Sequence, residues 1–535
     1  MGFSAVAVLP LLISLTLAST SPHPLHASMF NFFSPPACIL WLGNDGAVGC
    51  SQGESTAQGA LRYFPADDPD TFLRQLSEPS PDAAPWAVII EPSMFAQPRI
   101  LQALAQTSNI AGLAIAYSPS PPPAFSPAAP LRDTSCTNQE FYWNPAGSSL
   151  LQSAFNYTIV QLNASETSLL IDLSRANDAR GVFGGCGSCA RNVLQFRYDM
   201  HASGSSSASC LESRTCQPVG GLSPWAAIGS GPHTVVLTAA FDSAALFQDL
   251  SQGSLSSSAA SAVVLAVAEL FAKVADTFPQ KTLVALLAQA DAWSWSGSAR
   301  WWSALSAPPC PATQRETVKL SNGEQYDICK SPYRMHPRSF ERLKHEAAAV
   351  ASVLEVQQPG LFSQGDMFLH VGCSSSATAH SSAMLLALAA NISIVTGTPL
   401  PPSSVRDVFR SENAAYPAAV NNSFVIAGYA RKFHSSYFHS QYDSPDLISP
   451  SSLCKSVQTV AKATSHLLGI ATPTSAGLRP QLSRAMRRLL PRNHAHAVTF
   501  AAYSWASAPR SVLSNAHRCL PSGVCDFPGL EWKRI

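Results

Sequence analysis

The chain has 535 residues, enough for two or more lobes with buried cores. Its net charge is +1 and only 13% of its residues are charged, which excludes the basic footprint of a nucleic-acid-binding protein. Met1-Gly2-Phe3-Ser4 leads into an apolar run from Ala5 to Ala18, and small residues follow to Ser21. That is the layout of a secretory signal peptide over residues 1–21, although the usual positive start is missing. The run is shorter than the ~20 residues that cross a bilayer, so cleavage is favoured over an uncleaved anchor. Residues 22–36 are rich in Pro and Ser and read as a lead-in. Ala87-Val-Ile-Ile90 is a buried strand by composition, Ile100, Leu101 and Leu104 fit one helix face, and Asn109 to Ile115 reads as the next strand. The prolines between Pro119 and Pro130 demand a surface loop, and Ser203 to Ser209 reads as another.

A second α/β unit starts near Pro224. His233 to Ala240 and Lys281 to Ala288 are strands of the fully buried kind, with predicted helices at 259–275 and 298–305. Strand and helix alternate, which argues a mostly parallel sheet. Residues 307–336 look irregular. Ser381 to Gly397 reads as a buried helix followed by a strand, not a membrane span, because it opens on serines and runs into Pro399. Residues 471–535 are rich in Ala, Ser and Arg and poorly patterned; Arg484, Arg487, Arg488 and Arg492 read as a solvated helix face.

Four Asn-x-Ser/Thr sequons, at Asn156, Asn163, Asn391 and Asn421, agree with secretion. So do 13 cysteines. Several lie close together: Cys38 with Cys50, Cys210 with Cys216, Cys310 with Cys329, and Cys519 with Cys525. These are candidate disulfides whose connectivity spacing leaves open. Cys186 and Cys189 could be a metal or redox pair, but in an oxidising lumen structural half-cystines are the favoured reading.

Several segments, taken in order, carry a resemblance. They are Cys38-Ile-Leu-Trp-Leu with Val48-Gly-Cys50, Ile110 to Ala114, Phe125-Ser-Pro127, and Glu140 with Trp143-Asn144 and Gly147. Cys189-Ala190, Met200-His-Ala202, Phe241-Asp-Ser243, Phe247, and Gln289, Asp291, Gly297-Ser298 and Arg300 continue the series. Pro399 to Ser404 and Phe433-His434, Tyr437 and Tyr442-Asp443 complete it. Over about residues 38–450 the chain resembles the nicastrin family. The resemblance implies a two-lobed α/β ectodomain: a small lobe with a lid over 22–223, an aminopeptidase-like large lobe over 224–470 with an insert at about 307–336, and a C-terminal extension over 471–535. It implies a substrate-receptor subunit of the γ-secretase intramembrane protease that is not itself a peptidase. Its partners would be presenilin, the small membrane subunits and type I membrane protein substrates, on the lumenal or extracellular side of the secretory pathway and plasma membrane. That family is anchored by one C-terminal transmembrane helix, and this chain reads as ending before one.

The family's large lobe is related to zinc aminopeptidases, so the ligand positions can be tested. A two-zinc site needs about three protein ligands per metal and a carboxylate base. The place of the first His falls on Ala240, with Asp242 retained; the loop after Gly253 offers no bridging carboxylate. The base-ligand pair falls on Asp291 and Ala292, the next position falls near His370, and the last on His439. A two-zinc site is therefore not expected and no cofactor is implied, although one vestigial metal at Asp291, His370 and His439 is conceivable. In the family the retained acid lies where a substrate's N-terminus would be received. Asp291 could pair with an ammonium group, with Asp242 beside it, Trp293 and Trp295 as walls and Trp143 in the lid; or it only ties down the following turn. A degenerate secreted aminopeptidase and a soluble binding glycoprotein of the same superfamily are the alternatives.

Overall fold

The computed structural model describes residues 37–473, with internal breaks of which 198–222 and 336–346 are the longest, and then 524–527 and 530–533. A first sheet is built from β1 (Ala37–Cys38), β2 (Thr56–Phe64), β3 (Trp86–Ile90), β4 (Ile110–Ile115), β5 (Thr158–Gln161) and β6 (Val193–Arg197). Its order is β1-β5-β4-β3-β2-β6; the four central strands run parallel and the two edges antiparallel. The two middle strands, β3 and β4, are buried along their whole length, as in a parallel sheet covered by helices. These helices are α1 (Pro69–Ser77), α2 (Pro98–Gln106) and α3 (Ala164–Ala179). Asn163 starts α3 with a reciprocal cap: its side chain accepts the Glu166 N–H while the Glu166 carboxylate accepts the Asn163 N–H.

The second sheet holds β7 (Trp225–Ile228), β8 (His233–Ala240), β9 (Lys281–Ala288), β10 (Val350–Gln357), β11 (Phe368–His370), β12 (Ser393–Val395), β13 (Ser423–Ala427), β14 (Val524–Phe527) and β15 (Leu530–Lys533). The order is β12-β11-β13-β10-β8-β9-β7-β15-β14, and the centre from β13 through β10 and β8 to β9 is parallel. Side chains of β8 alternate between two cores. Val235, Leu237 and Ala239 face α4 (Ala259–Ala272), α6 (Ala377–Ala390) and α7 (Pro450–Leu468), while Val236 faces the side of α5 (Ser296–Ser306). The segment 254–272 is apolar and long enough to cross a membrane, but 78% of its most apolar window is buried, as befits a core helix.

The expected strands and helices stand within a few residues of their sequence positions, and two readings need correction. Residues 307–336 are not irregular: Arg315–Lys319, Gln325–Lys330 and Tyr333–Met335 form a three-stranded antiparallel sheet. The helix read within 381–397 is not wholly buried: α6 exposes Met384, Leu385 and Leu388. In the C-terminal extension, the hairpin β14–β15 joins the large sheet beside β7. The signal peptide, Cys186, Cys189, Cys210, Cys216, Cys310, Cys519 and the arginines at 484–492 lie outside the described residues, as do the side chains of Cys329 and Cys525.

The two lobes exchange side chains. Leu246 and Phe247, from the loop after β8, pack in the small-lobe core, while Trp143 of the small lobe packs in the core beneath α5.

Candidate functional site

The C-terminal ends of β8, β9 and β10 point the same way, which is where parallel α/β sheets present functional groups. Three carboxylates gather there: Asp242, Asp291 and Glu355, with 2%, 6% and 4% of their surface exposed. Each accepts hydrogen bonds from nearby backbone N–H groups, and Asp291 and Glu355 also from side chains. One Asp242 oxygen accepts the N–H groups of Asp291 at 2.8 Å and Ala292 at 3.2 Å, tying the end of β8 to the turn after β9. The two Asp291 oxygens accept from Ser298: one from its N–H at 2.8 Å, the other from its hydroxyl at 2.6 Å. Ser298 lies in the first turn of α5, so Asp291 caps that helix from outside. Gly297 lets α5 approach, since a Cβ there would stand 1.9 Å from the Gln289 carbonyl oxygen. The turn between carries positive φ at Ala290, Ser294 and Trp295, a strained path that the two aspartates hold in place.

Glu355 was not singled out in the sequence. Its carboxylate accepts the Ser404 hydroxyl at 2.7 Å and the Val405 N–H at 3.0 Å, capping the short π-helix Val405–Phe409, and the Gln357 side-chain amide at 2.6 Å. The only signal was an acid inside a mostly apolar strand. Burial raises the pKa of all three acids: Asp242 to about 6, Asp291 well above the ordinary value, and Glu355 upward. For Asp291 the charges of Glu355 and Asp242 add to the rise.

His370, at the end of β11, is fully buried. Its Nε2 lies 2.8 Å from the Tyr429 carbonyl oxygen, which fixes the proton on Nε2, and burial lowers its pKa to about 4. His439 has φ +57°, stacks on Phe438 at 3.8 Å and is likewise lowered to about 4 by burial. The donors needed for zinc are engaged elsewhere: Asp291 in Ser298, Asp242 in the β9 turn, and His370 in Tyr429. Among the described residues no three His, Cys, Asp or Glu side chains are grouped to hold a metal. This set does not fit the aminopeptidase zinc pair, and no chemistry through a metal follows from it.

Trp143 packs beside His370 and Tyr429. Its surface is 0% exposed, and its ring packs 5.6 Å from His370, 5.8 Å from Tyr429 and 4.7 Å from Phe141. Aromatic contacts of this kind contribute about 0.5–1.5 kcal/mol each beyond area burial. The surrounding lid is stitched to the segment 433–443. Phe433 N–H donates to the Trp143 carbonyl at 2.7 Å, Phe125 N–H to Ser436, the Ser126 hydroxyl to the Phe438 carbonyl, and the Tyr437 hydroxyl to Pro122. The disulfide Cys136–Cys373 joins the lid to the turn after β11 across 237 residues of sequence. That pairing escaped the sequence reading, which sought partners nearby; Cys38–Cys50 was found. Trp295 is half-buried beside the Trp143 cluster, whereas Trp293 is 45% exposed and faces out.

The fold and site define a class: a two-lobed α/β protein in which a segment of the small lobe packs against the large one. The small lobe matches the family model described as nicastrin small lobe over residues 37–202, and the second unit matches the nicastrin large lobe over 233–472. The chain belongs to the nicastrin family. Human nicastrin is 22% identical over 488 residues, covering 80% of this chain and 62% of that protein. The nicastrin of Dictyostelium purpureum is 23% identical over 339 residues, covering 61% of this chain and 51% of its own length. The chain thus spans about half to three-fifths of those relatives. The crystal structure of the γ-secretase component nicastrin shares the fold, with a TM-score of 0.63 at 18% identity over 86% of this chain and 80% of that one.

Proposed function

We propose that this chain is the lumenal part of a non-catalytic γ-secretase subunit, one that admits membrane-protein substrates by the size of their ectodomains. Presenilin and the small membrane subunits would be its partners, and type I membrane proteins trimmed to short ectodomains its substrates. It would work on the lumenal and extracellular side of the secretory pathway, consistent with four exposed sequon asparagines and the disulfides Cys38–Cys50 and Cys136–Cys373. The observation that carries the gating reading is Trp143, sunk without exposure against His370 and Tyr429 beneath a stitched lid. Asp291 supports it: an incoming ammonium would have to displace both Ser298 bonds, and charge-assisted contacts of about 1.5–3 kcal/mol would barely offset that loss. Asp242 and Asp291 then shape the wall under the lid, and exposed Trp293 is the aromatic group a passing ectodomain would meet.

The test joins the chain to a transmembrane helix in cells that supply the other subunits. Substrates with short and long ectodomains, and with free or acetylated N-termini, are compared in the parent, Asp291→Ala and Asp291→Glu. Gating predicts that processing follows ectodomain length and ignores acetylation in all three. A loss on acetylation that vanishes in Asp291→Ala would instead establish direct recognition by that carboxylate. Release of N-terminal residues from a peptide, together with stoichiometric zinc, would overturn the non-catalytic reading.

A further inference from the structure

Helix α6 carries an outer face that its sequence does not suit to water. Its inner face, Ala379, Ala383, Leu386, Ala387 and Ala390, is buried. Its outer face presents Met384 at 65%, Leu385 at 58% and Leu388 at 80% exposure, and the helix has no Asp, Glu, Lys or Arg. Solvent faces of globular helices are normally charged, and a contiguous apolar stripe implies a cover. Positions 384, 388 and 391 are spaced i, i+4, i+7, so Asn391 continues the same stripe. Asn391 is exposed and closes the helix in the left-handed conformation, its N–H donating to the Ala387 and Leu388 carbonyls. That cap uses only backbone, and among the described residues its side-chain amide makes no hydrogen bond. Asn391-Ile392-Ser393 is a sequon, and Ser393 is exposed.

We propose that an N-linked oligosaccharide on Asn391 lies back along α6 and covers Met384, Leu385 and Leu388. This rests on the secretory reading above. The amide nitrogen of Asn391 loses a proton and bonds to the anomeric carbon of a lipid-pyrophosphate-linked oligosaccharide; the bond from that carbon to the pyrophosphate breaks, and the lipid pyrophosphate leaves with its electron pair. From Asn391 back to Met384 is about 10 Å along the helix, a span the innermost sugars cover. Pyranose rings lay their C–H faces on apolar side chains and keep their hydroxyls in water. A membrane is disfavoured as occupant because α6 has no Lys or Arg for anionic headgroups, and a glycan at the end of the stripe would obstruct a docking protein.

The experiment expresses the full chain in a glycosylating host and compares it with Ser393→Ala, which removes the sequon but leaves the Asn391 cap. Asn421→Gln is the control for loss of a glycan elsewhere. Ser393→Ala is expected to lose the mass of one glycan, bind an apolar fluorescent dye severalfold more strongly and elute partly as larger species, whereas Asn421→Gln loses a glycan without those changes. Adding Leu388→Ser to Ser393→Ala should return dye binding toward the parent. An unchanged mass in Ser393→Ala overturns the proposal, as does a lost glycan with unchanged dye binding. A chain that carries no glycan at any sequon would instead refute the secretory reading beneath it.

Discussion

Asp291 stands after β9, at a strand end where parallel α/β sheets present functional groups, yet its oxygens are spent on the N–H and hydroxyl of Ser298. Replacing Asp291 with Ala strands both donors in a fully buried position, which costs about 1–3 kcal/mol. Asp291→Asn keeps an acceptor and should cost less. Urea midpoints of the two variants check this, and equal midpoints for parent and Asp291→Ala would show that the turn is held by other contacts. Gly297→Ala tests the same turn from the helix side. A methyl 1.9 Å from the Gln289 carbonyl must push α5 off the strand end, at a cost of about 3 kcal/mol.

At the scale of elements, the lid is the part whose attachment can be cut. Cys136→Ser opens a link that closes a very long loop, and losing such a link typically costs about 2–4 kcal/mol. Limited proteolysis should then cleave between Pro119 and Gly147 in Cys136→Ser while sparing the parent; equal protection would mean that Trp143 and the backbone bonds suffice. What the sequence made legible follows from range. Strands such as Val235 to Ala239 and Val284 to Ala288 were readable because every face is buried. The helix starting at Ala259 was readable from its composition. The sheet at 315–335 was not, since Arg315, Glu316 and Thr317 are exposed and give no buried face to pattern. Nor were the capping role of Glu355 or the partner of Cys136, because each depends on residues about 50 or more positions away. The site acids Asp242 and Asp291 were placed by resemblance; their bonds came only from the structure.

For the whole molecule, the buried acids and histidines set opposing trends with pH. Asp242, whose pKa rises from 3.8 to about 6, binds its proton more tightly when folded. Its contribution is full below 3.8 and is lost as pH climbs through about 6. Asp291 and Glu355 act in the same direction. His370 and His439, lowered from 6.5 to about 4, act oppositely and remove stability as pH falls through that window. Asp242→Asn isolates one component: relative to the parent it should gain stability as pH rises from about 4 to above 6. Denaturation midpoints across that range read this, and a constant difference would refute it. The Cys136–Cys373 link also bears on how the chain is made. Residue 136 leaves the ribosome 237 residues before its partner, about 10–50 s earlier at ordinary synthesis rates. During that interval Cys136 lacks its final partner while nearer cysteines, Cys186 and Cys189 among them, emerge first. The link therefore closes only after residue 373 has emerged, and alkylation of chains arrested before that residue should label Cys136.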